Sequence, residues 1–346
     1  MTVQTTTNSA GAAEPAISII VISYNTRDMT VACLRSIYDQ TESPFEVVVV
    51  DNASTDGSVD AIRTEFPADR HPNLKLVAET TNHGFARAHD VALPHAVAPW
   101  VLLLNPDTVV LDRGIDRLLD GARRTPEAGI WGGRTFFADG SLNPSSCAAR
   151  MTLWSTVCTV TGLSSLFRGS AVLNPEGYGG WDRSDAREVD IVIGCLFLMR
   201  RADWDRLGGF DPVFVMYGEE ADLCHRARRA GLRPRIVPEA TIIHYGGASE
   251  RVKADKMVRL MRAKVELMRR HLHPATRGLA VRLMARWPWT RWLAWSALSV
   301  AGREGAAVKA ATWREIWDRR AEWDHGAASS GAATAAVAAA EHRQAA

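Results

Sequence analysis

Three acidic residues, Glu219, Glu220 and Asp222, crowd the point where the aromatic stretch Phe214–Tyr217 meets a helical pattern. One reading is a helix N-terminus enriched in acids, which the macrodipole favours. The other is a general base at the mouth of a site, worth about 10²–10⁴ in rate within reach of an acceptor hydroxyl. A further acid, Asp107, follows the apolar run Val101–Leu104 and the pair Asn105-Pro106. Proline has no N–H for a ladder and restricts its predecessor, so the run reads as a buried strand stopped at Asn105. Asp107 then stands at a strand's carboxyl end, where open α/β sheets bind ligands. A hard divalent cation carrying a diphosphate wants a carboxylate there, although Asn, Pro and Asp also make ordinary turns. His244 ends the apolar stretch Thr241–Ile243. It is either a structural histidine or, with Asp107, a ligand for a divalent metal. Asp51, after another apolar run, is either a turn residue or an acceptor for a nucleobase or ribose.

The elements that must hold these residues follow from periodicity. Ile17–Ser23, Phe45–Val50, Leu74–Ala78 and Val101–Leu104 read as strands. Helical patterns separate them, one with Val31, Leu34, Ile37 and Tyr38 on a face and one opening at Ser58 as its cap. Alternation at intervals of about 25 residues indicates α/β architecture with a doubly wound, mostly parallel sheet. No GxGxxG follows the first strand, which excludes the usual dinucleotide-binding version. Residues 132–187 are rich in Gly, Ser, Pro and Asn and read as long loops and short strands over the site. Val189–Met199 is a second buried strand region broken by Gly194, and Ile236-Val237 and Thr241–Ile243 are short strands. Glu250 to about Leu272 is a basic helix, and Leu279–Val300 a second helical stretch with Trp287, Trp289, Trp292 and Trp295.

Net charge is +2 over 346 residues, so the whole is not a polycation. Basic residues are concentrated, however: Arg251–Arg291 holds twelve Lys and Arg against Asp255 and Glu266. Five scattered cysteines without a CxxC point to reduced thiols in a cytosolic protein, not a disulfide framework or zinc site. The N-terminus has no basic start and no apolar core, and no apolar run is long enough to span a bilayer. The expected division is a disordered tail (1–16), a catalytic domain (17–250), a basic Trp-rich helical region (251–325) and a disordered Ala-rich tail (326–346).

The series VISYN, VVVDNASTDGS, NHGFARA, LLLNPDT, LGGFDPVFVMYGEEADLC and PEATIIHYGG, in that order from Ile17 to Gly247, resembles family 2 glycosyltransferases. The nearest type is their bacterial rhamnosyltransferase-like branch. The resemblance implies the GT-A fold, with the nucleotide-sugar site at the strand carboxyl ends and C-terminal helices added. It also implies a nucleotide-diphospho-sugar donor (dTDP- or UDP-linked), Mg²⁺ or Mn²⁺, and inversion by direct displacement. Carried over by position, Tyr24, Asn25 and Asp51 fall where the family holds base and ribose, and Asn82 and Gly84 at its donor-contacting loop. Asn105 and Asp107 occupy the DxD position, with Asp107 as the metal-binding acid, and Gly194 and Cys195 match a small-residue turn beside the donor sugar. Glu219-Glu220 matches the family's Glu-Asp pair, which makes Glu220 the general base and leaves Asp222 as its rival or positioner. His244 matches the histidine that helps hold the metal. His89-Asp90 stands where relatives often carry Asn, a departure at the sugar contact.

Two other function classes compete with this reading. A nucleotidyltransferase acting on sugar phosphates would carry a Gly-rich, Arg/Lys-bearing loop after the first strand, and SYNTRD is not one. An inactive nucleotide-sugar-binding module would have no reason to keep Asp107, Glu220 and His244 together. Leu279–Val300 is either a helix packed on the catalytic domain or an interfacial helix with Trp at headgroup level and Arg facing anionic lipid. The second would suit a glycan or lipid-linked acceptor and a cytoplasmic protein at the inner face of the plasma membrane. Nucleic acid is not an expected partner, since the basic residues form no recognisable binding module. The oligomeric state stays open.

Overall fold

The structure is a computed structural model that describes residues 14–246 and 253–326. Gly247 and most of the two expected tails lie outside the described residues. The first half alternates as expected: β1 (Ile17–Ser23), α1 (Arg27–Gln40), β2 (Phe45–Asp51), α2 (Ser58–Glu65), β3 (Leu74–Ala78), α3 (Phe85–Ala92) and β4 (Trp100–Leu104). There follow β5 (Thr108–Leu111), α4 (Gly114–Arg124), β6 (Ile130–Phe136), β7 (Leu142–Asn143), β8 (Cys147–Ala148), α5 (Leu153–Thr161) and α6 (Leu163–Leu166). Next come β9 (Arg187–Glu188), β10 (Ile191–Val192), β11 (Leu196–Arg200), α7 (Arg201–Leu207), α8 (Glu219–Arg229) and β12 (Arg235–His244). Four helices close the described chain: α9 (Lys253–His271), α10 (Pro274–Met284), α11 (Trp287–Val300) and α12 (Ala306–Asp318).

The main sheet runs β3-β2-β1-β4-β11-β6-β12-β5. Its β3-β2-β1-β4 half is parallel; β11 then enters antiparallel to both β4 and β6, and β12 lies parallel to β6 and antiparallel to β5. Both faces are covered, which is why these strands read as unbroken apolar runs. Alternate residues feed two cores: Ile20, Val48, Val101 and Leu103 one, and Ile19, Val47, Leu102 and Leu104 the other.

Several local expectations are corrected. Ser58 is not the cap of α2; Gly57 is, and Asp56 accepts from the Ser58 amide at 3.1 Å. The segment from 132 onward is not all loop, because Gly132-Gly133 sits inside β6. A Cβ on Gly133 would stand 2.1 Å from the Ala240 carbonyl, so the strand accepts only glycine where β12 presses on it. The two short strands after Arg235 are one strand with a register shift between Val237 and Thr241, at Pro238, whose missing N–H interrupts the ladder. Leu279–Val300 is not one helix. Pro288 cannot donate to the Met284 carbonyl and its ring would crowd it, so α10 stops at Met284 and α11 restarts at Trp287.

The C-terminal helices are packed on the domain. Val258, Met261, Val265 and Met268 of α9 are buried, and Trp323, wholly buried, donates its Nε1–H to the Ile316 carbonyl at 3.0 Å. Arg319 pairs with Asp255 across α12 and α9. Thr290 Oγ1 and Arg291 Nη2 of α11 donate to the Val160 and Thr159 carbonyls of α5, each at 2.9 Å.

Candidate active site

The turn after β4 is braced from three sides. Thr108 Oγ1 donates to the Asn105 carbonyl at 2.7 Å, the Asn105 amide donates to the Cys195 carbonyl at 3.3 Å, and the Tyr245 amide donates to the Asp107 carbonyl at 3.0 Å. The buried Cys33 thiol lies beneath, 3.6 Å from the Asn105 carbonyl; burial pushes its pKa up to about 12, so it is a neutral filler and no nucleophile. β5, a strand not expected from the sequence, pairs with β12 so that Thr108 faces His244. That register brings His244 Nε2 to 3.4 Å from Asp107 Oδ1 and 3.5 Å from Asn105 Nδ2. Burial lowers the His244 pKa, but contact with Asp107 and Cys195 overrides it and carries the imidazole up to about 10. Its buried Nδ1 has no hydrogen-bond partner among the described residues.

An oxygen and a nitrogen donor this close suit a divalent cation with most of its coordination left open, the imidazole releasing its proton to solvent as the ion binds. Among the described residues no group of three or more His, Cys, Asp or Glu gathers as a closed metal cage. Asp107 and His244 would be this chain's two ligands to such a cation. Cys195 and Gly194 arrive beside this pair because Leu196 of β11 is registered against Leu104 of β4. The nearest atom to a Cβ built on Gly194 is Phe85 Cε1 at 4.0 Å, so the glycine leaves room there.

The nucleotide end lies at the carboxyl ends of β1 and β2. Tyr24 is exposed, and Asn25, at φ 52°, accepts the Thr55 amide on Oδ1 at 2.8 Å while its own amide donates to Ser54 Oγ at 2.9 Å. Asp51 accepts the Ser54 amide on Oδ2 at 2.9 Å, whereas its buried Oδ1 has no partner among the described residues. A buried acceptor without a donor is costly in a folded chain and fits a donor brought by a ligand. Asn52, which sequence reasoning passed over as part of a turn, is the strut of the neighbouring loop. Its Nδ2 donates to Asn82 Oδ1 at 3.0 Å and its Oδ1 accepts the His83 amide at 2.9 Å. Asn82 Oδ1 also accepts the Gly84 amide at 2.8 Å. Gly84 has φ 75°, and a Cβ there would stand 2.9 Å from Val215 Cγ1. Since Phe85 N donates to the Val215 carbonyl at 3.0 Å, this loop is fastened to the segment that leads into α8.

Glu219 and Glu220 open α8 behind Gly218, which caps it at φ 88°. Burial raises both carboxyls, with the helix amides opposing, and Glu219, beside Glu220, is raised the further. The two carboxyls lie beside each other and are shifted upward together, and among the described residues one oxygen of each has no partner. Asp222, the expected rival, has both oxygens committed: Oδ2 to Arg226 Nε at 2.7 Å and Oδ1 to His271 Nε2 at 2.8 Å. Burial raises its pKa, but these bonds prevail and hold it below the usual carboxylate range. It ties α8 to α9 and does not wait for a proton. His89 is no sugar contact either. It is buried between Phe85 and Phe210, bonded to the Phe85 carbonyl at 2.8 Å, and desolvation pushes it down to about 4.

A family model described as glycosyl transferase family 2 matches residues 18–208. An N-acetylglucosaminyl-diphospho-decaprenol L-rhamnosyltransferase from Mycobacterium tuberculosis is 30% identical over 255 residues, spanning 66% of this chain and 76% of the relative. The O-antigen biosynthesis protein RfbC of Myxococcus xanthus is 30% identical over 248 residues, 69% of this chain but 18% of that protein. Among solved structures, mannosyltransferase PcManGT from Pyrobaculum calidifontis, in complex with GDP-Man and Mn²⁺, superposes with a TM-score of 0.52. At 24% identity over 89% of this chain and 85% of that one, it shares the fold.

Proposed function

The chain belongs to glycosyl transferase family 2 and transfers sugar from a nucleotide-sugar donor, and from that premise we propose an inverting, metal-assisted transfer, of rhamnose first among candidate sugars. The observation that supports it best is the convergence of Asp107 and His244 at the carboxyl ends of β4 and β12. Those two residues would hold the cation, which when bound offsets the charge growing on the diphosphate leaving group. Asp51, whose Oδ1 has no partner among the described residues, and Tyr24 would receive the nucleoside; Asn82, Gly84, Gly194 and Cys195 would line the sugar and diphosphate. Glu220 would take the proton from the acceptor hydroxyl as it attacks the anomeric carbon opposite the departing nucleoside diphosphate. Glu219 would keep Glu220 oriented, and the raised Glu220 pKa makes it a better base than an exposed glutamate. Rhamnose and a lipid-linked acceptor are favoured by the activity of the mycobacterial relative, and a divalent cation by the Mn²⁺ in the PcManGT complex.

A thermal-shift series with dTDP-, UDP- and GDP-sugars, each with Mg²⁺ or Mn²⁺, tests the donor. A true donor at 100-fold its Kd stabilises by about 2.7 kcal/mol, a rise of several degrees in Tm. dTDP-rhamnose is expected to give the largest shift. A larger shift by another sugar nucleotide would reassign the donor, and no shift by any of them would refute the binding mode.

We also propose that the C-terminal helices bring the protein to an anionic membrane surface. No helix among the described residues is long and apolar enough to cross a membrane. Leu279, Trp289 and Leu293 are nevertheless exposed, with the exposed Arg282 and Arg286 between them. Basic side chains near an anionic leaflet add about 1 kcal/mol each, screened by salt, while apolar insertion is salt-resistant. Truncating the chain at α10 would also remove the buried Trp323, so point substitution is the cleaner test. The Trp289→Asp/Leu293→Asp variant should keep its fold and donor binding yet lose most co-sedimentation with phosphatidylglycerol vesicles. Equal pelleting of variant and wild type at low and high salt would show that this face does not dock.

A further inference from the structure

A cavity of about 330 Å³ opens where the far end of α8, the approach to β12, the end of α9 and the stretch before α5 meet. Four arginines and two histidines line it: Arg150, Arg228, Arg229, Arg233, His225 and His271. The volume lies at the lower end of small-ligand clefts, roughly 300–1,000 Å³. At 1.5 Å per residue the Arg229 end of α8 lies about 13 Å from the Glu220 end, so this is a different place from the sugar-transfer site.

The balance of charge is what marks the cavity. Arg228 has an ion-pair partner in Asp190, at 3.1 Å. Arg150, Arg229 and Arg233 have no carboxylate partner among the described residues. Arg233 Nη1 instead donates to the Leu232 carbonyl at 2.8 Å, and Arg229 meets the His271 ring at Nδ1 rather than a carboxylate. His271 has turned its other nitrogen to Asp222. His225 lies flat on His271 with ring centroids 4.3 Å apart. Burial first, then His271 and Arg229, push its pKa down to about 4 against the opposing pull of Asp190 and Asp222. Cationic groups gathered along one concave wall focus potential on whatever anion enters. Planar guanidinium forks match phosphate oxygens in pairs.

We propose that this cavity binds a phosphate or diphosphate group, held chiefly by Arg150, Arg229 and Arg233. The group comes either from a lipid headgroup or from a soluble phosphorylated ligand, and the site does not depend on the sugar-transfer reading. Calorimetric titration of the full chain with inorganic pyrophosphate, metal-free and at constant ionic strength, tests it. Arg229 and Arg233 are exposed, so the Arg229→Gln/Arg233→Gln variant should stay folded and bind about tenfold more weakly or worse. Asp107→Ala, altered at the other site, should bind as wild type does. No binding by wild type, equal binding by the arginine variant, or a loss seen in Asp107→Ala alone would each overturn the proposal. A second arm compares pelleting on phosphatidylcholine vesicles with and without phosphatidic acid. A loss in the arginine variant names the headgroup as the source, and an unchanged result names the soluble ligand.

Discussion

Glu220→Gln is expected to lower kcat by about 10²–10⁴, or about 3–5 kcal/mol of barrier, while leaving donor binding unchanged. The substitution keeps the size of the side chain and removes only its capacity to accept a proton. Both side chains open α8, whose cap is the backbone of Gly218, so the head of the helix should hold its shape. Wild-type kcat should fall as pH drops through the Glu220 pKa, because protonation occupies the base. Burial raises that pKa, so the acid limb should lie above that of an ordinary glutamate, and it should vanish in the variant. Asp222→Asn makes the discriminating comparison. Asp222 binds Arg226 and His271, so its loss should appear mainly in stability, where breaking a buried pair costs about 3–5 kcal/mol. If Asp222→Asn costs more kcat than Glu220→Gln at full folding, the base belongs two residues further on.

The second large effect is expected at Asp107. Asp107→Ala should cut turnover by about 10³-fold or more, because stabilising a departing diphosphate is worth several kcal/mol. The metal-dependent part of nucleoside-diphosphate affinity should disappear with it, and EDTA should no longer alter what binding remains. The turn itself should survive, since Thr108, Cys195 and Tyr245 brace it through backbone groups that the substitution leaves in place. Titration of wild type and variant with a nucleoside diphosphate, with and without Mn²⁺, reads the effect directly. A variant with full activity in EDTA-treated buffer would remove Asp107 from the metal role.

Much of this architecture can be read along the chain because its signals are local. Val, Ile and Leu runs such as Ile17–Ser23 and Val101–Leu104 must be strands covered on both faces, and the polar residues that end them must lie at carboxyl ends. Asp51, Asp107 and the acids heading α8 could be named on those grounds, and the family resemblance set their order. Partnership between distant residues is another matter. Asn105 and His244 are 139 residues apart, and they meet because the four-residue β5 pairs with β12, a register no local pattern states. Gly132-Gly133 looks like loop until the Ala240 carbonyl arrives against it, since a missing side chain weakens strand propensity and permits close approach alike. Asp222 resembles its neighbours in sequence; α9, arriving with His271 and Arg270, turns it into a tether. A Trp- and Arg-rich stretch has the same composition whether it faces lipid or protein. Packing alone separates the buried Trp323 from the exposed Trp289, and gathers three arginines with no carboxylate partner among the described residues around one cavity.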